Sequence, residues 1–314
     1  MSQVQWVTVS SEEAGQRLDN FLLKHLRKAP KALIYRIVRK GEVRVNKGRA
    51  QPSTRLGEGD VVRLPPVKLP DAQEVIAPPR LQIDKMVDLI LYEDDDLILL
   101  NKPSGIAVHG GSGVSWGLIE LVRAMRPQAK RIELVHRLDR DTSGVIMLAK
   151  KTSVLRALHE QVREGKMAKT YWALVAGTWP KNKTKVDLPL LKNTLSSGER
   201  MVVVSQEGKA SLSHFKCLMQ CDDAALMEVR IITGRTHQIR VHAQSVGCPI
   251  VGDEKYGDVV INEAYRHKGL RRLALHAFSL GFTHPITEQA MLVQAPLFKD
   301  FSATLRAQGW GGVV

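Results

Sequence analysis

Cysteine is scarce: Cys217, Cys221 and Cys248 are the only three in 314 residues. They are too few and too unevenly spaced for a disulfide framework, and no pair has the two-residue gap of a zinc knuckle. Long apolar runs are missing as well. Nowhere do about eighteen apolar residues stand together, as a membrane helix would require. Met1 to Ser10 lacks the basic flank and apolar stretch of a secretion signal, so a cytoplasmic protein is expected. No unit of roughly 20 to 50 residues repeats, which argues against a solenoid or propeller.

Acid is the other scarcity. Lys and Arg number 46 against 32 Asp and Glu, a formal charge of +14. A field of that sign draws polyanions and speeds association with them. RNA, DNA and an anionic membrane surface are the candidate partners; charge alone does not choose among them, and a basic protein that merely stays soluble would look the same. Hydrophobic residues at 44% and charged residues at 25% are ordinary for a globular chain. The length suits two domains better than one.

The charge is concentrated near the N-terminus. Between Arg17 and Arg49 stand Arg17, Lys24, Arg27, Lys28, Lys31, Arg36, Arg39, Lys40, Arg44, Lys47 and Arg49, opposed only by Asp19 and Glu42. Ser10 with Glu13 reads as a capping box, and Leu18, Phe21, Leu22 and Leu26 recur at helical spacing. After the Ala29-Pro30 break, Leu33, Ile34, Ile37 and Val38 repeat that spacing as far as Gly41. Val43 and Val45 then alternate as in a strand, and Val61 to Leu64 predicts a second. Two short helices followed by a small β element resemble the S4 RNA-binding domain over residues 15 to 65. The resemblance implies that Arg17, Arg36, Lys40, Arg44 and Lys47 face RNA phosphates; the plain alternative is a solvated cationic face. From Pro65 to Pro79 five prolines with little periodicity read as an extended tether. The expected division is an S4-like domain at 1–65, a linker at 66–88 and a catalytic domain at 89–314.

Beyond the linker short strands and helices alternate. Leu97 to Leu100 is an apolar run ending in the turn Asn101-Lys102-Pro103-Ser104-Gly105. Leu118, Leu121, Val122 and Met125 predict one amphipathic helix, and Leu155, Leu158 and Val162 another. Val145, Met147 and Ala149 predict a buried strand, and Tyr171, Ala173 and Val175 an alternating one. The pattern is α+β, too irregular for a doubly wound sheet.

Three segments carry chemistry. The polar loop Leu134 to Gly144 sets Asp139 among arginines ahead of a buried strand. Such a carboxylate is held ionised and can serve as nucleophile or base, or it can simply pair with Arg137 or Arg140. Thr233 to His242 leads from a strand into a predicted helix whose N-terminus offers amides and arginines to an anion. Arg235 or Arg240 could there bind a phosphate or orient Asp139. His237 and His242 lie five apart, wrong for a helical metal pair, so no metal is expected. Lys169 to Val175 is a strand carrying Tyr171, a base-stacking candidate beside RNA and an ordinary half-buried residue elsewhere.

Taken jointly, Asn101 to Gly105, His136-Arg137-Leu138-Asp139 with Thr142-Ser143-Gly144, Lys169 with Tyr171, Gly234 to Arg240, and Leu275-His276-Ala277 resemble the RluA-type family of pseudouridine synthases. The match spans nearly all of residues 90 to 298. His109-Gly110-Gly111-Ser112-Gly113 is similar to the branch acting on large-subunit (23S) ribosomal RNA. The resemblance implies a mixed, largely antiparallel central sheet flanked by helices, an isomerase, and no cofactor. It makes Asp139 the catalytic carboxylate, acting either by adding at C1′ or by taking a proton from C2′. Arg235 would pair with it, and Tyr171 would stack on uracil. Arg137 would help extrude the nucleotide, and Leu275 would floor the pocket. His136, Lys169 and Arg240 would complete the substrate contacts. A ribosomal RNA partner, no membrane and no metal follow, and the hinged two-domain layout makes a monomer the default expectation. Two rivals stand beside this reading: a non-catalytic RNA-binding assembly factor, and a nucleoside or glycoside hydrolase using Asp141 as its second carboxylate.

Overall fold

The computed structural model describes residues 3–26, 29–67, 78–110, 116–129, 131–194 and 200–313. The chain falls into two compact units, Met1–Ile76 and Ala77–Val314.

The first unit contains β1 (Gln5–Thr8), α1 (Leu18–His25), α2 (Lys31–Arg39), β2 (Arg44–Val45) and β3 (Val61–Leu64). The strands form an antiparallel sheet in the order β1-β3-β2. Both helices lie where the apolar spacing predicts them, and Phe21, Leu22, Ile34, Ile37 and Val62 close a core at most 1% exposed. Strand β1 carries no clear alternation and was not expected. Ser10 and Glu13 do not cap a helix: the segment turns, and α1 begins only at Leu18. Glu13 instead accepts hydrogen bonds from Lys24 and meets His25, and the Lys24 ammonium holds it down to about 2. Arg36, Lys40 and Lys47 are exposed and Arg44 half-buried; none has an ion pair among the described residues. Arg17 differs, binding Asp19 at 2.7 Å. Arg27 and Lys28 lie outside the described residues.

The second unit opens with a helix where a tether was expected. Within the predicted 66–88 linker, Arg80–Val87 forms α3, and its Met86 is 2% exposed in the core of this unit. Pro78 and Pro79 fit a helix N-terminus, where no backbone N–H is needed, so these prolines start a helix and do not mark a spacer. Val67, two residues past the expected boundary, is buried in the first unit's core. The rest of the expected tether, residues 68–77, lies outside the described residues.

Next come β4 (Ile90–Glu93), β5 (Leu97–Lys102), α4 (Leu118–Met125), β6 (Glu133–Leu134), β7 (Ser143–Ala149), α5 (Thr152–Arg163) and β8 (Ala168–Ala176). They are followed by β9 (Lys185–Asp187), β10 (Leu190–Thr194), β11 (Arg200–Val204), β12 (Leu212–Gln220), β13 (Ala224–Ile231) and α6 (Gln238–Ser245). Helix α7 (Val259–His267), β14 (Leu275–Thr283), β15 (Ala290–Gln294) and α8 (Lys299–Ala307) complete the unit. The large sheet runs β4-β5-β7-β14-β8-β13-β12-β9, with β6 on β7 and β15 on β14; β10 and β11 form a separate hairpin. As expected, it is mixed but largely antiparallel: among the described strands only β7 and β14 run parallel. Strands β5 and β7 are buried at every residue, the signature of strands covered on both faces.

This order places three chemistry-bearing elements side by side. Strand β7 leaves the Asp139 loop directly, β8 carries Tyr171, and β14, between them, begins at Leu275. The close passage of β7 and β14 depends on Gly144, whose φ of 108° suits only glycine and whose added Cβ would lie 2.2 Å from the Ala277 carbonyl oxygen. Gly144→Ala is therefore expected to cost about 2–4 kcal/mol. Urea unfolding of the purified variant measures this, and an unchanged midpoint would contradict the close-approach argument.

Candidate active site

Asp139 sits in the loop between β6 and β7 with its side chain 22% exposed, open to solvent yet walled on several sides. The turn after β5 holds this loop. Lys102, fully buried, donates from Nζ to the carbonyls of Pro103, Ile106 and Arg140 at 2.9, 2.9 and 2.8 Å. Gly105 N–H reaches the same Arg140 oxygen, and Ser104 Oγ donates to the Asp141 carbonyl at 2.7 Å. Burial pulls Lys102 down to about 7, while Asp141 and Asp139 pull it back up. The Asn-Lys-Pro-Ser-Gly turn is thus the clamp that fixes the loop bearing Asp139.

The cationic neighbours of Asp139 come from the start of α6. His237 Nε2 and Arg240 Nη1 each lie 3.9 Å from Asp139 Oδ2, in ion-pairing range but longer than a hydrogen bond. The expected partner, Arg235, points elsewhere: its Nε donates to the Ala210 carbonyl at 3.1 Å. The local fold explains the exchange. Gln238 accepts from Arg235 N–H and Thr233 Oγ and donates to Leu212 O and Ser213 Oγ, locking the turn. His237 then takes a left-handed conformation, φ 53°, and the helix begins. Arg235 is left on the turn, while Arg240, within the helix, reaches inward.

Arg240 is held in turn by Asp253. Its Nε and Nη2 each donate to the Asp253 carboxylate at 2.7 Å, with side chains 6% and 0% exposed. Burial is the largest influence and opposes the Arg240 charge, but the hydrogen bonds and charge of Asp253, with the charge of Asp139, together outweigh it and keep the guanidinium protonated. Tyr256 lies under Arg240, 5.0 Å from guanidinium carbon to ring centre. Its hydroxyl accepts from Val202 N–H at 2.9 Å and so has its proton to give to His237 Nδ1 at 2.7 Å. That assignment puts the His237 proton on Nε2, facing Asp139.

Every residue that the family resemblance assigns to the catalytic site lines one cleft of about 520 Å³. Asp139, Tyr171, Arg235 and Arg240 are there; so are His136, Arg137, Lys169 and Leu275. Asp139 is the only carboxylate among the lining residues. Tyr171 is 8% exposed, and burial followed by the Asp139 charge drives its phenol upward, so it stays neutral at physiological pH. Lys169 is lowered by burial. Asp141, the candidate second carboxylate, does not line the cleft and pairs with Arg140 at 3.0 Å. His242, buried, contacts Ser211 and Ser213 and is no partner of His237.

Sequence reasoning missed Lys102, His237, Asp253 and Tyr256 as functional positions. Lys102 and His237 stood inside quoted motifs without a role. Asp253 and Tyr256 follow Arg240 by 13 and 16 residues, too far for any local periodicity to join them.

Two histidines, half-buried His136 and buried His276, set a pH dependence. Burial, then the charge of Lys169, takes His136 down to about 3, and its Nε2 accepts from Met147 N–H. Burial takes His276 down to about 4; its Nε2 faces the Ala295 carbonyl and its Nδ1 faces Ser143 Oγ, beside Arg272. The unfolded chain binds protons at both positions near 6.5 whereas the folded chain resists them. Their contribution is therefore complete above pH 6.5 and is lost as pH falls towards 4, at up to about 1.4 kcal/mol per pH unit for each group. Urea midpoints from pH 7 to 4.5 should fall, and His276→Asn should flatten the slope; an equally steep slope in that variant would contradict the assignment.

With this geometry in view, comparison with known proteins is specific. Residues 96–245 match the RNA pseudouridylate synthase family and residues 16–62 the S4 domain. The chain is 54% identical over 306 residues to Ribosomal large subunit pseudouridine synthase C of Escherichia coli, covering 96% of each chain. It is 53% identical over 313 residues to the protein of that name from Haemophilus ducreyi, covering 98% of this chain and 97% of that one.

The chain belongs to the RNA pseudouridylate synthase family.

Among solved structures, Human RNA Pseudouridylate Synthase Domain Containing 4 superposes with a TM-score of 0.60 at 27% identity, over 72% of this chain and 95% of that chain. Human RNA Pseudouridylate Synthase Domain Containing 1 does so with 0.55 at 25% identity, over 68% and 86%. As a pseudouridylate synthase with an S4 domain ahead of its sheet, the chain is an isomerase acting on RNA. Among the described residues, no helix is long and apolar enough to cross a membrane.

Proposed function

We propose that this chain converts uridines of large-subunit (23S) ribosomal RNA to pseudouridine, with Asp139 as the catalytic carboxylate. The observation that carries the reading is the lone carboxylate in a cleft whose other ionisable side chains are arginines, a lysine, histidines and a tyrosine. A phosphodiester chain is drawn to such a cleft, and the target base must leave its stack to reach the carboxylate. Exposed Arg137 lies at the rim to replace the extruded base, Tyr171 supplies a neutral stacking face, and Leu275 an apolar floor. Arg240 and His237, each 3.9 Å from its Oδ2, flank and aim the carboxylate. Arg235, its guanidinium on a backbone carbonyl at the rim, is a phosphate contact in this reading. Lys169 and His136 fill the wall beside Tyr171.

Asp139 adds at C1′ or removes the C2′ proton; the N1–C1′ bond breaks, the base turns, and C5 bonds to C1′. The C5 proton is released, N1 takes one up, and Asp139 leaves C1′ or returns the proton to C2′. Nothing is oxidised and no group is imported, so neither cofactor nor metal enters the proposal. The first unit adds affinity through Arg36, Lys40, Arg44 and Lys47, with Arg17 shaping the helix start through Asp19. The enzyme acts as a monomer in the cytoplasm, where ribosomes are assembled. Tritium release from C5-labelled large-subunit transcript tests the reading directly. Release is expected; RNA binding with no release would leave a binding protein, and free uracil as product would leave a hydrolase.

A further inference from the structure

A second, separate cleft of about 760 Å³ opens at the far edge of the large sheet, between β12, β13 and the segment following β8. Lys181, Lys183, Lys216 and Arg230 line it, opposed by Glu228 alone. Arg230 is only loosely matched to Glu228, at 3.8 Å. Among the described residues Lys181, Lys183 and Lys216 have no ion pair, and all three are exposed. Elsewhere in this unit three cations are neutralised: Arg240 by Asp253, Arg272 by Asp300 and Arg126 by Glu93. Charge left unmatched in a concave site projects its field into solvent and concentrates anions there.

The register shows that this is not an outlying part of the active cleft. Val229 pairs with Tyr171 and Arg230 with Thr170, so Tyr171 and Arg230 point to opposite faces of the sheet. Lys216 pairs with Glu228 and His214 with Arg230, which puts these side chains on the Arg230 face. On the opposite face Phe215, paired with Val229, stacks on Trp179 at 4.6 Å, each 3% exposed, and stiffens the strand that carries His214 and Lys216.

We propose that this groove is a second RNA-binding site, holding the phosphate backbone of a region remote from the target nucleotide. The proposal rests on the RNA substrate proposed above. An acidic polypeptide would meet the same cations, but the substrate itself is a long polyanion, and one large enough to pass round the sheet edge touches both faces. A short stem-loop confined to the active cleft does not.

The test is the full-length Lys181→Gln/Lys183→Gln/Lys216→Gln/Arg230→Gln variant, checked for an unchanged unfolding midpoint. Affinity is measured against salt for a short target stem-loop and for a long large-subunit transcript. For the long RNA the plot of log affinity against log salt should become about one to three units shallower, since each lost phosphate contact removes roughly 0.7–0.9. The stem-loop should bind and turn over as before. An unchanged slope for the long RNA would overturn the proposal. Equal losses for both RNAs would overturn it too, by making the groove part of the active cleft, as would stronger competition by polyglutamate than by polyuridylate. Binding is read independently of turnover, so a wild-type protein without pseudouridine formation would defeat the proposed function while the salt slope still decides the groove.

Discussion

Replacing Asp139 by Asn is expected to abolish pseudouridine formation, a loss of at least about 10³-fold in single-turnover rate, while RNA affinity stays essentially unchanged. Asparagine keeps the shape of the side chain and removes the electron pair that attacks carbon or takes a proton. The surroundings tolerate the change. Arg240 keeps its two hydrogen bonds to Asp253, so no buried charge is stranded, and the loop backbone remains clamped through Lys102, Ser104 and Gly105. The cationic cleft loses its single acid, which if anything favours phosphate. Residual turnover above a hundredth of wild type, or a parallel fall in affinity, would remove Asp139 from the chemical role.

Much of this arrangement was legible in residue order, and the limits follow distance along the chain. Helices α1, α2, α4 and α5 and strands β7 and β8 lie where apolar spacing predicts them, because each presents a continuous face to a core. Strand β1 was not legible: its four residues, Gln5 to Thr8, are all at least partly exposed, and pairing with β3 alone defines it. Prolines misled in one place, since Pro78 and Pro79 open α3. Ser10 and Glu13 misled in another, because Glu13 answers to Lys24 and His25, more than ten residues away.

The site divides in the same way. Asp139, Tyr171 and Leu275 come from three separate stretches, yet all line the same cleft because β7, β14 and β8 are neighbours. The partner of the carboxylate was misread between two arginines of one motif. Arg235 and Arg240 are five residues apart, and only the turn fixed by Gln238 decides which one reaches inward. No pattern in the chain announces that turn's geometry, because it depends on Leu212 and Ser213 on another strand.

Asp253→Ala is expected to be among the most damaging substitutions outside the cleft, at about 3–5 kcal/mol. It removes both acceptors from a buried guanidinium, and it also strips Lys255 N–H and Tyr256 N–H of the oxygen they share. The useful contrast is Asp300→Ala, which breaks the pair with Arg272 at a carboxylate 36% exposed; water can replace that partner, so a smaller loss, about 1–2 kcal/mol, is expected. A second effect separates the two. Without Asp253 the nearest carboxylate to Arg240 is Asp139, and the guanidinium should close the 3.9 Å gap and tie up the oxygen needed for chemistry. Turnover, measured where the variant is still folded, should then fall about 10²-fold or more at unchanged RNA affinity. Asp253→Asn, which keeps one acceptor, should recover part of both losses. Equal midpoints for the Asp253 and Asp300 variants would contradict the buried-pair account, and full activity in folded Asp253→Ala would confine Arg240 to a structural role.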